Sequence, residues 1–152
     1  MDSLNDLNKK EITQWLLNSI QTGDNYIHRN GIRITHISED RTEGTAEITP
    51  DVFNPMKMAH GGFLFTLADT VSGVAAWAGA GKSFVTQSST VYFLRPVGEG
   101  LVHAIAKPIK IGRQTCVCSV EIYDASSTMV FYATFTFFQK DTPLPTETTK
   151  LQ

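Results

Sequence analysis

Asn54-Pro-Met-Lys-Met-Ala-His60-Gly61-Gly62-Phe-Leu-Phe-Thr-Leu-Ala-Asp69-Thr70 reads as a loop that opens into a helix through two glycines and carries one carboxylate two turns inside it. The first N–H groups of a helix have no intrahelical partner and sit at the positive end of the macrodipole, so they attract a carbonyl oxygen that is gaining negative charge. Gly61 or Gly62 is placed to supply such a donor, because glycine lacks the Cβ that would keep a ligand away from the backbone. By itself His-Gly-Gly is equally a glycine turn ahead of a core helix. Asp69 is what gives the segment chemistry.

Eight residues separate Gly61 from Asp69, which is a rise of about 12 Å and a rotation of about 80° along an α-helix. A reacting carbon must lie about 3 Å from both its polariser and its nucleophile or base. One carbonyl therefore cannot touch both groups of one chain, and the spacing predicts a symmetric dimer with active sites at its interface. Projected at 100° per residue, Phe63, Leu67, Val71, Val74, Ala75 and Ala78 fall on one arc, the stripe of a core-facing helix. Asp69 points the other way. Its neighbours at i+4 and i+7 are Gly73 and Ala76, small enough for a ligand or a second backbone to approach, and it is the one charged group between residues 60 and 80.

Outward from this helix, residues 8 to 21 carry Ile12, Trp15, Leu16 and Ile20 at helical spacing and stop near Gly23. A turn is expected at Asn30-Gly31. Short strands are expected around Ile32/Ile34 and over Thr45 to Ile48, on either side of a polar turn from Ser38 to Gly44. Pro50 and Pro55 bracket the loop that leads into the glycine-opened helix. Four strand-like runs follow it, Phe84 to Leu94, Leu101 to Ile111, Gln114 to Tyr123 and Met129 to Gln139, with turn chemistry between them. One long helix followed by four antiparallel strands implies an α+β layer in which the sheet curls around the helix.

Composition is that of a single domain: 152 residues, 41% hydrophobic, with a net charge of −2. The absence of a basic cluster argues against nucleic-acid and polybasic membrane partners. Met1-Asp-Ser-Leu-Asn-Asp lacks the basic-then-apolar pattern of a secretory signal, and Thr66, Asp69, Thr70 and Ser72 make the central helix a poor membrane span, so a cytoplasmic location is expected. Cys116 and Cys118 fall on one face of a strand, where a disulfide would be strained and zinc would want further ligands; they are expected to be reduced packing residues. No metal site is implied, with His28, His36 and His103 scattered. Ser72, Ser83, Ser88 and Ser89 lack the Gly-x-Ser-x-Gly elbow of a serine hydrolase.

Asn54, His60-Gly61-Gly62, Leu67-Ala-Asp69-Thr70 and Tyr92-Phe-Leu-Arg-Pro96 with its glycine turn together resemble the hot-dog fold thioesterases, and among them the phenylacetate-degradation (PaaI-type) group. The resemblance covers about residues 30 to 139, leaving an N-terminal helical segment over 1–29 and a frayed polar tail over 140–152. It implies hydrolysis of an acyl-coenzyme A thioester to a carboxylate and free coenzyme A, with no cofactor, by a homodimer that pairs into a dimer of dimers. By position, the Gly61 amide would polarise the carbonyl, Gly62 would complete the helix opening, and Asp69 of the partner subunit would act as nucleophile or general base. Asn54 would hold the loop or the thioester region through its amide, and His60 would orient that loop by hydrogen bonding rather than move protons. Thr86 resembles the hydroxyl that places the water, with Gln87 or Ser88 fitting after a register slip, and Thr70, Gln87, Ser88 and Arg113 would bind substrate. Among Lys82, Arg95, Lys107, Lys110 and Arg113, the last, beside Gly112 in a tight turn, best suits the coenzyme phosphates. A non-catalytic acyl-CoA sensor and a hot-dog hydratase or dehydratase are the alternatives; the first usually adds a DNA-binding module and the second carries a different histidine signature.

Overall fold

In a computed structural model, which describes residues 8–140, ten short segments of helix and strand build one sheet around one helix. The tail expected over 140–152 lies, past its first residue, outside the described residues. Helix α1 (Lys9–Thr22) starts in a capping box: the Asn8 side chain accepts from the N–H groups of Lys10 and Glu11 while the Glu11 carboxylate accepts from the Asn8 N–H. A single turn, α2 (Tyr26–Arg29), precedes Gly31, whose φ of +68° makes the turn expected there.

Strands β1 (Arg33–Ile37) and β2 (Thr42–Ile48) form a hairpin that is tighter than the expected polar turn from Ser38 to Gly44. Thr42 and Gly44 belong to the strand because they face inward, opposite Ala106 and Ala104. Gly44 is where the central helix comes closest: a Cβ there would lie 2.6 Å from Val71 Cγ2. After a short 3-10 turn at Pro50–Val52 comes α3 (Gly61–Ala80), ended by Gly81 at φ +65°, whose N–H reaches the Trp77 carbonyl at 2.7 Å.

β3 (Phe84–Phe93), β4 (Gly100–Ile111), β5 (Thr115–Tyr123) and β6 (Met129–Gln139) complete an antiparallel sheet with the order β1-β2-β4-β5-β6-β3. All six residues of the expected α3 stripe are buried, five of them (Phe63, Leu67, Val71, Val74 and Ala75) in the core that the sheet encloses. Alternation on the strands does the same from the other side, with Val102, Ala104 and Ala106 of β4 and Phe131, Ala133, Phe135 and Phe137 of β6 turned inward. α3 is long and apolar enough by composition to cross a bilayer, yet it lies wrapped in this sheet. Cys116 and Cys118 sit side by side on the inner face of β5, both thiols free and fully buried, with sulfurs 3.8 Å apart.

The two sheet edges differ. β1 is five residues long, bulged between Ile34 and His36, and its Ile34 carbonyl accepts from the Gln21 side chain at 3.3 Å. β3 is ten residues long, contains neither Lys nor Pro, and is exposed from Val85 to Thr90. Such an edge is a template for pairing with another chain. β3 also carries a bulge between Thr86 and Ser88, so that Thr86 pairs with Phe137 while Ser88 pairs with Thr136.

Candidate active site

The site grows from the loop before α3. Asn54 organises it through its own side chain: Oδ1 accepts from the N–H groups of Met56 (2.9 Å) and Met58 (3.2 Å), and the Asn54 N–H reaches the Met58 carbonyl at 2.7 Å. The tightness of this turn puts Lys57 at φ +60°. Ala59 N–H then bonds the Val97 carbonyl and His60 N–H the Val52 carbonyl, both at 2.8 Å, which fixes the direction in which the helix starts.

His60 is the N-cap of α3, and its Nδ1 accepts from the Gly62 N–H at 2.8 Å. An accepting Nδ1 is unprotonated, which leaves the neutral ring's proton on Nε2. Gly62 is thereby removed as a free donor. The Gly61 N–H has no partner among the described residues, so of the two glycine amides it is the one left open. Next to it is a cavity of about 280 Å³, lined by Asn54, Met56, Met58, Leu64, Phe93 and Arg95 among others. A larger cleft of about 470 Å³, between α1, α2 and β1, contains none of the expected site residues.

Two turns along, Asp69 is half-buried, and its Oδ1 accepts from the Thr86 hydroxyl at 2.6 Å. Burial raises its pKa above the ordinary carboxylate value, and the Thr86 hydrogen bond opposes the rise. No cation pairs with it among the described residues. Gly73, one turn on, has only the Phe137 ring near its missing Cβ, at 3.7 Å. A carboxylate kept basic on a low-charge helix face, with one oxygen already held, is equipped to take a proton.

A thioesterase superfamily model matches residues 56–131, half of the chain, running from the Asn54 loop into β6. The chain belongs to the thioesterase superfamily. Within it, the chain is a hot-dog thioesterase of PaaI type. It is 29% identical over 118 residues to the 1,4-dihydroxy-2-naphthoyl-CoA hydrolase of Escherichia coli, covering 76% of this chain and 86% of that protein. The solved structure of the E. coli PaaI protein, from the phenylacetic acid degradation operon, superposes with a TM-score of 0.77 at 26% identity, covering 86% and 96% of the two chains. A Streptococcus mutans protein solved with acetyl-CoA bound gives 0.71 at 25% identity, covering 78% and 99%.

In the thioesterase, the remaining expected residues scatter. The Thr70 hydroxyl is bonded to the Thr66 carbonyl at 2.7 Å, within the helix. Gln87 occupies the β3 bulge, and Ser88 shares the outer face of the sheet with Thr136, so the structure brings Thr86 and not Ser88 to Asp69. Arg113 lies in the β4–β5 turn, beside Lys82, whose ammonium reaches the Arg113 carbonyl at 3.4 Å; this is the end of α3 opposite Gly61. Phe93 is a residue the sequence did not single out. A Cβ on Gly61 would lie 3.0 Å from its Cε1, so its ring covers the first turn of the helix. It lies within the quoted Tyr92-Phe-Leu-Arg-Pro96 segment, but strict alternation puts residues seven apart on opposite faces, and only the bulge at Gln87 returns Phe93 to the face of Thr86.

Proposed function

We propose that this thioesterase hydrolyses acyl-coenzyme A thioesters, and that each catalytic centre combines the Gly61 amide of one protomer with Asp69 of the partner subunit. The observation that carries the reading is the uninterrupted α3, which holds an unpaired Gly61 N–H and a basic Asp69 carboxylate about 12 Å apart on one rod. The β3 edge, with no further strand beside it among the described residues, supplies the surface through which two copies would pair. Relatives that act on an acyl-CoA or hold acetyl-CoA support the choice of substrate.

The thioester oxygen accepts the Gly61 hydrogen bond, which strengthens as the carbonyl becomes an oxyanion. His60 and Asn54 act earlier, by fixing the direction of that N–H. The partner's Asp69, held by its Thr86, removes a proton from water as the water oxygen bonds to the acyl carbon, or attacks that carbon itself and is then released by water. Collapse breaks the carbon–sulfur bond, and the departing thiolate takes up a proton. The products are the carboxylate and free coenzyme A, and the scheme uses no metal or prosthetic group. Arg113 and Lys82, on a part of the surface remote from Gly61 of their own chain, are the cations offered to the coenzyme phosphates.

Thiol release from a panel of aromatic and aliphatic acyl-CoAs tests this. Asp69→Asn is expected to lower turnover by about 100- to 10,000-fold on every substrate that the wild type accepts. Wild-type-like turnover in Asp69→Asn removes the assignment.

A further inference from the structure

The cavity beside Gly61 has walls whose chemistry the hydrolytic step does not require. Met56, Met58, Leu64, Phe93 and Leu94 give it an apolar lining. Its polar groups are few: Asn54, whose Oδ1 is already occupied by two backbone N–H groups, and Arg95, whose guanidinium donates to the Met129 carbonyl at 2.6 Å. A thioester has an apolar end and a polar end. The amides of the coenzyme arm would lose hydration here with few partners, and a phosphate would find Arg95 alone, at the exposed rim, whereas an alkyl or aryl group has no hydrogen bonds to lose. The volume of about 280 Å³ lies below the ~300–1,000 Å³ of pockets that enclose a whole drug-sized ligand. It suits part of the substrate.

We infer that this cavity receives the acyl group, and that Phe93 is the specificity-determining residue that limits the size of that group. The inference rests on the reading that Gly61 polarises the thioester carbonyl. An oxygen bound at the Gly61 N–H brings the acyl carbon's substituent against the Phe93 ring, because that ring stands 3.0–3.5 Å from where a Gly61 Cβ would be. The ring is supported from behind by Phe131, edge to face with centroids 5.4 Å apart, and remains 57% exposed in front. Met56, 76% exposed at the tip of the Asn54 loop, adds a flexible thioether that adapts to different shapes. A fixed aromatic wall together with an adaptable one suits aryl and medium-length alkyl groups.

The test compares acetyl-, octanoyl- and benzoyl-CoA on wild type, Phe93→Leu, Phe93→Ala and Met56→Ala. An apolar contact of methylene size shifts discrimination by about 10- to 200-fold. The kcat/KM ratio of bulky to acetyl substrate is therefore expected to move by at least about 10-fold in Phe93→Ala, with Phe93→Leu and Met56→Ala shifting it less. The inhibition constant of free coenzyme A is expected to stay within about twofold, since uniform binding of the coenzyme is untouched. Equal loss on all three substrates, with or without a change in the native mass of the protein, makes Phe93 a packing residue and overturns the inference. Weakened inhibition by free coenzyme A with an unchanged acyl profile overturns it too, by assigning the cavity to the coenzyme arm. A wild type that releases thiol from none of the substrates removes the proposed function and this inference together; an active wild type with a uniform Phe93 effect removes the inference alone.

Discussion

Mixed dimers give the sharpest test of a shared catalytic centre. Gly61 is the first residue of α3, its N–H has no partner among the described residues, and His60 before it sits at φ −64°, ψ 135°, the conformation a residue adopts ahead of proline. Proline is accepted at this helix position, so Gly61→Pro deletes the oxyanion donor without breaking a helix hydrogen bond. Gly61→Ala is its control, because it brings the same Cβ, 3.0 Å from Phe93 Cε1, and keeps the N–H. Gly61→Pro alone is expected to lose about 100- to 1,000-fold in turnover, and Asp69→Asn alone about 100- to 10,000-fold. When the two are denatured, mixed in equal amounts and refolded together, random pairing makes half of the dimers mixed. Each mixed dimer contains one centre with both groups intact and one with neither. Thiol release should then recover to about a quarter of the wild-type rate, as the symmetry of an isologous pair requires. If both groups served a centre within their own chain, no assortment would restore either. A mixture that stays at the average of its two parents, while the same procedure returns wild type to full activity, refutes the shared site.

Thr86→Val removes the hydrogen bond that lowers the Asp69 pKa and leaves the burial that raises it, so the acid limb of the kcat/KM profile should move to higher pH; a limb that stays in place separates Thr86 from the base. A carboxyl whose folded-state pKa is raised stabilises the fold most at pH values below the unfolded pKa, and that contribution is lost as pH rises toward the folded value. Asp69→Asn should accordingly raise Tm at neutral pH, with the gain vanishing in acid below the ordinary carboxylate range; a lower Tm at neutral pH contradicts it. Thr42 Oγ1 is fully buried with no partner among the described residues, so Thr42→Val should leave Tm unchanged or raise it, and a loss above about 1 kcal/mol would reveal a partner the hydroxyl needs. Gly44→Ala puts a Cβ 2.6 Å from Val71 Cγ2 and 3.0 Å from the Arg33 carbonyl, an overpacking of about 1–3 kcal/mol that should lower Tm by roughly 2–4 °C per kcal/mol; wild-type Tm would show that β2 can move away from α3.

The helix, its buried stripe and the four long strands were legible because each is a periodic pattern that a single face of contact enforces. The errors sit where a tertiary contact overrides local chemistry. Thr42 to Gly44 looks like a turn in isolation and becomes strand because α3 needs a close surface there. Pro108 stands inside β4, tolerated beside a bulge that no propensity marks. The same limit governs the site. Asp69 and the two glycines stand out by type and spacing, yet which glycine amide is left open depends on His60 Nδ1 accepting from Gly62, a side-chain rotamer that sequence does not encode. Phe93 was hidden for a related reason, since one extra residue at Gln87 reverses the face of everything that follows it on β3.

α3 divides its labour along its length. The C-terminal half is tied down from every side: Trp77 donates to the Phe84 carbonyl at 3.0 Å and stacks on Trp15 of α1 at 6.1 Å, and a Cβ on Gly79 would meet Ile111 at 2.9 Å. α1 packs over this half, where Lys9 lies against Gly81, and away from the first turns. The N-terminal half leaves the Gly61 N–H without a partner among the described residues and turns Asp69 toward β3, the last strand of the sheet. A rod clamped at one end cannot bend enough to bring two groups about 12 Å apart onto one carbonyl. Under the proposed scheme, the rigidity that fixes the Gly61 N–H direction is what calls for a second chain, and β3, which has no further strand beside it among the described residues, is the edge along which Asp69 of the partner subunit would arrive.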